Sequence, residues 1–355
     1  MRKYTKPIIA FSILLQIVVI KLLAQFPEFV ESVYSNGIYI FISKLMHYVF
    51  GWIPFSVGDI FYTIAGIYIL RWLFVNRKRI LKDTKNWFLD VMVAVSVGYF
   101  AFHFLWAFNY YRLPLHKSLQ IEADYTTEEL LNITNQLIVK SNAAHIAITH
   151  NDSVKVEMPY TKTELLNLIP EGYNELSKQF PHLAYKPKSL KRSLYSLPLT
   201  YMGFSGYLNP FTNEAQIDGL IPTYKYPTTA SHEVAHQLGY AAENEANFIG
   251  AMASINHKNK YFKYSGYTYA LQHCLSEVYQ RDTTQYDMLI PKINVGILKN
   301  YAEVNAFWKG YQNPTEPFFK LFYNGFLKAN NQTKGIESYN YVVGLLVNYY
   351  KVNNL

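Results

Sequence analysis

Residues 228–248 read TTASHEVAHQLGYAAENEANF, and inside this stretch His232-Glu233-Val234-Ala235-His236 forms an H-E-x-x-H motif. Histidines four apart lie one above the other on the same face of a helix, so both imidazoles can reach one metal ion. Zinc is the ion this pattern suits, and Glu233 is placed to take a proton from a water that zinc acidifies from a pKa of about 15.7 to about 7. Thr228 or Thr229, after Pro227, is expected to cap the helix, and Gly239 to end it. The alternative reading is a surface helix whose His and Glu are simply solvated.

A catalytic zinc takes three protein ligands and keeps one position open. The acidic run Glu243-Asn244-Glu245-Ala246-Asn247 follows at once and offers two carboxylates for the third place. On a helix starting near Ala242, Asn247 shares a face with Glu243 and can orient it from behind. The residue four after Glu245 is Ile249, which offers nothing polar. Glu243 is therefore the expected ligand, Asn247 its supporting partner and Glu245 the alternative ligand. Ala246 and Gly250 are small enough to let the two helices approach closely.

The Glu-x-x-Ala-Asn run after H-E-x-x-H resembles the ligand helix of gluzincin-type zinc peptidases. The gap is short, with six residues between His236 and Glu243. HQLGYAA also resembles the start of the metzincin motif, but Ala242 stands where that motif needs its last histidine. The whole chain resembles an uncharacterised family of membrane-anchored, zinc-peptidase-like proteins of Bacteroidetes. The matching pieces besides the motif are Asn109-Tyr110-Tyr111-Arg112, Gly206-Tyr207-Leu208-Asn209-Pro210-Phe211 and Glu337-Ser338-Tyr339. The resemblance implies a zinc peptidase and an α+β, zincin-like domain in which a strand beside the zinc helix pairs with an extended substrate.

Three apolar stretches, about 7–24, 58–75 and 87–106, approach the roughly 20 residues needed to span a bilayer. Residues 1–117 hold 13 Lys/Arg against 5 Asp/Glu, which is the whole net charge of +8, while the remainder is neutral. The excess is a membrane-topology signal and argues against a nucleic-acid partner. Arg2, Lys3 and Lys6 before the first stretch, and Arg77 to Lys85 between the second and third, belong on the cytoplasmic side. The expected topology is a multi-pass protein of the bacterial inner membrane with a cytoplasmic N-terminus. Residues 1–111 would form the membrane region and residues 112–355 an extracytoplasmic domain. A cleaved signal peptide is the alternative for the first stretch. Residues 37–56, apolar but interrupted by Lys44, His47, Gly51 and Pro54, read as an interfacial or re-entrant segment, with a further span as the alternative. His103 in the third stretch is expected near the interface or packed within the bundle.

The domain reads as mainly α. Thr126 and Glu129 form a capping box for a helix to about Ala144, and a second helix spans roughly 162–179. Segments 199–208 and 215–220 read as short strands joined by a turn at 209–213. Helices are expected at about 261–281, 284–308, 316–330 and 335–351. His145, His150 and His182 lack ligand spacing and are expected at the surface. Lone Cys274 reads as core packing. Tyr264, Tyr267, Tyr269 and Tyr339 are candidates to donate a hydrogen bond to a tetrahedral oxyanion, and Tyr267 is the choice among them.

These readings make the chain a membrane-anchored zinc metallopeptidase acting on a peptide or protein close to the lipid bilayer. Two other classes stay open, a non-catalytic zinc-binding scaffold or receptor and a zinc amidase acting on cell-wall peptides. The ligands lie far along the chain from the spans, so cleavage inside the bilayer is not expected. Oligomeric state is not legible.

Overall fold

The computed structural model describes residues 2–335 and 341–355. Three helices are long and apolar enough to cross a membrane: α1 (Arg2–Leu23), α3 (Val57–Asn76) and α4 (Thr84–Leu105). Between the first two lie a π-helical stretch, Val30–Ile38, and α2 (Tyr39–Phe50). The chain is thus a multi-pass membrane protein with three spans close to the stretches read from hydropathy. Helices α1 and α4 pack in parallel, with Lys6 paired to Asp90 and Ser12 to Ser96. Helix α3 meets α4 at the same N-terminal end of α4, where the Trp72 and Trp87 rings lie 5.9 Å apart. His103 is buried and contacts the Tyr99 carbonyl.

The α-rich domain follows. Capping boxes at Thr126 and Thr161 open α5 (Thr127–Thr149) and α6 (Lys162–Leu176). Helix α5 continues five residues past its expected end, which moves His145 onto the buried face, four residues after Ser141. His145 is not a surface residue: its Nε2 lies 2.7 Å from the Val154 carbonyl. A small mixed sheet comprises β1 (Leu190–Arg192), β2 (Gly206–Asn209) and β3 (Glu214–Ile217), with a helix α7 (Ser196–Met202) between β1 and β2. The strand expected over 199–208 is therefore half helix, ended by Gly203 at φ +80. The order is β1-β3-β2, with β1 parallel and β2 antiparallel to β3.

The metal-motif helix α8 (Tyr226–Gln237) runs against the sheet and turns into α9 (Glu243–Ile255). It begins two residues before the expected caps, with Pro227 in its first turn, where a missing N–H costs nothing. Helix α10 (Lys260–Arg281) packs on α5 and α9. The single helix expected over 284–308 is two, α11 (Thr283–Leu289) and α12 (Val295–Tyr311), because Pro291 cannot continue the ladder. Helices α13 (Glu316–Ala329) and α14 (Val342–Val352) close the chain. Cys274 is fully buried in the core that α5, α6, α8, α9, α10 and α14 share.

The two parts of the chain interlock. Arg112 is 8% exposed. It donates to both carboxylate oxygens of Glu31 at 2.6 and 2.8 Å and to the Gly239 carbonyl at 2.8 Å, and it lies 3.9 Å over the Tyr240 ring. Glu214 of β3 accepts from the Val57 and Gly58 amides, so the first turn of α3 is anchored on the sheet by a carboxylate at a helix N-terminus. Segment 39–50 buries Tyr39, Ser43 and His47, one turn apart, against the domain and exposes Phe41, Leu45 and Tyr48 on the opposite side. Arg112→Ala leaves Glu31 without its partner, and we expect a loss of roughly 3 kcal/mol, read as a lower unfolding midpoint of the detergent-purified full chain.

Candidate metal centre

Small residues build the site's frame. A Cβ on Gly250 of α9 would stand 2.8 Å from the His232 backbone nitrogen, so only glycine lets α9 lie this close to α8. Gly239, at φ +88, adopts a left-handed conformation that ends α8 and reverses the chain into α9 within a few residues. The same turn aims the Tyr240 carbonyl at His236, whose Nδ1 lies 2.7 Å from it. That contact assigns the Nδ1 proton and leaves Nε2 free to face inward, as metal-binding histidines are commonly held.

The ligand atoms of His232, Glu233 and His236 all lie within 4.8 Å of one another and form a cluster that could hold a metal ion. The two imidazole rings stand 4.6 Å apart and nearly perpendicular. From the start of α9, Glu243 Oε2 reaches 3.3 Å from His232 Nε2 and 3.6 Å from His236 Nε2. These separations suit a tetrahedral ion better than direct hydrogen bonds: metal–ligand lengths of 2.0–2.1 Å put neighbouring ligand atoms about 3.4 Å apart. Glu243 Oε2, Glu233 Oε2 and His232 Nδ1 are buried without a hydrogen-bond partner. Unpaired buried acceptors are costly, and a cation in their midst would satisfy the two carboxylates. The donor set of two imidazoles and a carboxylate suits zinc.

Electrostatics set the charges of the group. Burial pushes Glu233 above the usual carboxylate range, against the pull of the two imidazoles. Burial would also raise Glu243, but His236 and His232 outweigh it and hold Glu243 well below that range. Burial opposes a charge on His236, yet Glu243 and Glu233 raise it to about 9 when no metal competes. Nearby, burial lowers Lys225 to about 8, and burial together with Lys225 and His232 lowers His273 to about 3.

The other expected site residues fall in different places. Glu245, the alternative ligand, points away from the histidines and accepts the Leu115 amide at 2.6 Å. Asn247 lies on the expected helix face, but its Oδ1 accepts the Tyr269 hydroxyl at 2.6 Å and does not support Glu243. Tyr323 of α13 fills that role, donating to Glu243 Oε1 at 2.6 Å. Tyr267 does not reach the cluster: its half-buried ring packs on the main core, and it is Tyr269, two residues on, that faces the site. Glu337, Ser338 and Tyr339 lie outside the described residues.

Sequence reading also missed how closely the membrane region touches the cluster. Trp106, one residue past α4, donates Nε1–H to the His236 carbonyl at 3.0 Å, and Tyr39 donates to the Gln237 carbonyl at 2.9 Å. Gly206 of β2 lies against the Glu233 carboxylate, where a Cβ would come 2.7 Å from Oε1. The neighbouring Tyr207 hydroxyl bonds Asp59, the third residue of α3. The distance between ligands and spans is thus one of sequence and not of space.

These features define a membrane-associated protein with a buried His-Glu-His cluster fit for a metal ion. The chain belongs to the family described as Protein of unknown function (DUF3810), whose model matches residues 34–347. No curated protein and no solved structure matches it.

Elemental analysis of the full chain should give about one zinc per chain, lost in His236→Ala and Glu243→Ala and kept in Glu245→Ala. Zinc loss in Glu245→Ala alone would move the third ligand. Burial raises Glu245 from 4.5 to about 7, against the Leu115 amide and Arg112. The folded chain therefore binds an extra proton between these values, and stability falls as pH rises through that window. Glu245→Gln keeps the acceptor for Leu115, so it should remove this slope and add roughly 1–3 kcal/mol at pH 8 in chemical unfolding.

Proposed function

We propose that the chain is a zinc metallopeptidase of gluzincin type, anchored in the bacterial inner membrane, with His232, His236 and Glu243 as metal ligands and Glu233 as general base. The observation that carries this reading is Glu233 itself. It stands within the cluster with one buried oxygen unpartnered and the other against β2. A purely structural zinc site has no use for a fourth residue there, an unligated carboxylate.

A bound zinc would polarise the scissile carbonyl and make a water acidic enough to lose a proton near neutral pH. Glu233 takes that proton, helped by a pKa raised by burial, and passes it to the departing amine. Tyr323 and the Tyr240 carbonyl keep Glu243 and His236 aimed inward. Tyr323 thus takes the part expected of Asn247, and Tyr267 has no part in the step.

The substrate reading rests on β2. It is one of the two edge strands of the sheet, and the Asp218 amide bonds the Ser205 carbonyl at 2.9 Å. By the alternation of an antiparallel ladder, Gly206 and Leu208 then turn their amides and carbonyls to the free edge. An extended peptide adds there as a further strand beside Glu233. The lysines and arginines of residues 1–6 and 77–85 support a cytoplasmic N-terminus, and with it an extracytoplasmic cluster at the opposite ends of α3 and α4.

Glu233→Gln is expected to keep zinc and fold while lowering hydrolysis of a synthetic peptide library about 10²–10⁴-fold. Tyr323→Phe should lower it by a smaller factor, and Tyr267→Phe should leave it unchanged. A zinc-loaded wild type that cleaves no peptide in the library, scored by mass spectrometry, would favour a zinc-binding scaffold.

A further inference from the structure

Helix α13 carries Tyr323 to the cluster on one face and a bare apolar stripe on another. At 100° per residue, Phe319, Tyr323, Leu327 and Asn330 share the face turned to the domain, where Leu327 is fully buried. Phe318, Leu321, Phe322 and Gly325 fall on an adjoining arc, and the three large side chains on it are 67–72% exposed. Lys320, Asn324 and Lys328 occupy the remaining flank. A soluble helix does not normally leave Phe, Leu and Phe uncovered side by side.

The surroundings identify what covers them. Phe326 borders the stripe, and its ring lies 5.9 Å from Phe102, in the last turn of span α4, and 6.3 Å from Tyr110 just beyond it. The stripe therefore lies beside the end of a membrane span, at the depth where that span leaves the bilayer. The polar flank carries the matching charge. A cavity of about 990 Å³ opens beside it, lined among the described residues by Lys328 and Lys334 and by Lys320, which pairs with the single carboxylate there, Glu316, at 2.6 Å. Apolar side chains on one face with lysines beside them are the pattern of a helix lying in the bilayer surface, its lysines among anionic headgroups.

We propose that α13 is such a helix: its Phe318–Phe322 stripe lies in the outer interface of the bilayer next to α4, and lipid contact holds Tyr323 over Glu243. The partner is the bilayer itself, and the proposal stands whether or not the site hydrolyses peptides. An interfacial seat also fits α13's connections to the domain, since Phe204 and Tyr323 pack edge to face at 5.1 Å and Asn313 bonds the Tyr201 carbonyl. The helix is thus held between the membrane and the strand beside Glu233.

The test places an environment-sensitive fluorophore on the full chain in vesicles of phosphatidylethanolamine and phosphatidylglycerol. Cys274 is buried and leaves single labels at Phe322→Cys or Lys320→Cys unambiguous. The Phe322 label should emit as from an apolar medium and be quenched several-fold more strongly than the Lys320 label by lipids carrying a spin label on the upper acyl chain, below the headgroup. Phe318→Cys gives an independent reading should Phe322→Cys fail to fold. Equal, water-like emission at both positions would overturn the proposal. So would a Phe322 label that is shielded from water yet untouched by the spin-labelled lipid, since a protein partner would then cover the stripe.

Discussion

The carbonyl end of helix α8 is the constraint on which the rest depends. A helix leaves its last carbonyls without partners inside the helix, and here that end is buried. Trp106 takes the His236 carbonyl, Tyr39 and Ser43 take that of Gln237, and Arg112 takes that of Gly239. All four donors come from the membrane region or its border. The helix that carries both histidines is consequently finished by residues more than a hundred positions away, and the spans are part of the site's frame as well as its anchor.

The site grows from that fixed end. With α8 held, the Gly239 turn brings the Tyr240 carbonyl to His236 and starts α9 where Glu243 meets both imidazoles. Two carboxylates on one helix then take different tasks through helical geometry alone. Residues 243 and 245 differ by about 200° around the axis, so one faces the histidines and the other faces Leu115 and Arg112. The environments differ accordingly, with Glu243 held ionised by the imidazoles and Glu245 pushed up by burial. On the other side, Gly206 lets the sheet descend onto Glu233, while Tyr207 ties the same strand to Asp59 in the span α3.

Much of this was legible as periodicity. The i, i+4 histidines, the apolar runs of span length, the capping box at Thr126 and the turn at Gly239 are patterns of neighbouring residues, and each appears where the pattern puts it. Most expectations that failed needed a partner outside the segment itself. His145 looks exposed until its helix is seen to run on against Val154 and Asn294. The segment 199–208 has strand-like composition, yet α7 occupies half of it, held by the Asp218 carboxylate through Thr200. Pro291 was a visible breaker that outweighs the helical pattern on either side of it.

The sequence by itself determined the local chemistry: two histidines placed to reach one metal ion with a carboxylate between them, three apolar spans and a mainly α domain. These depend on spacing along one chain, where geometry is set by 3.6 residues per turn and by the thickness of a bilayer. Tertiary structure alone decided which tyrosine donates to Glu243, where Glu245 and Asn247 find their partners, and how near the spans come to the His-Glu-His cluster. Those outcomes depend on contacts such as Tyr323 with Glu243, 80 residues apart, and Trp106 with His236, 130 apart. No spacing rule encodes such pairs, because packing of whole helices, and not the order of residues, brings them together.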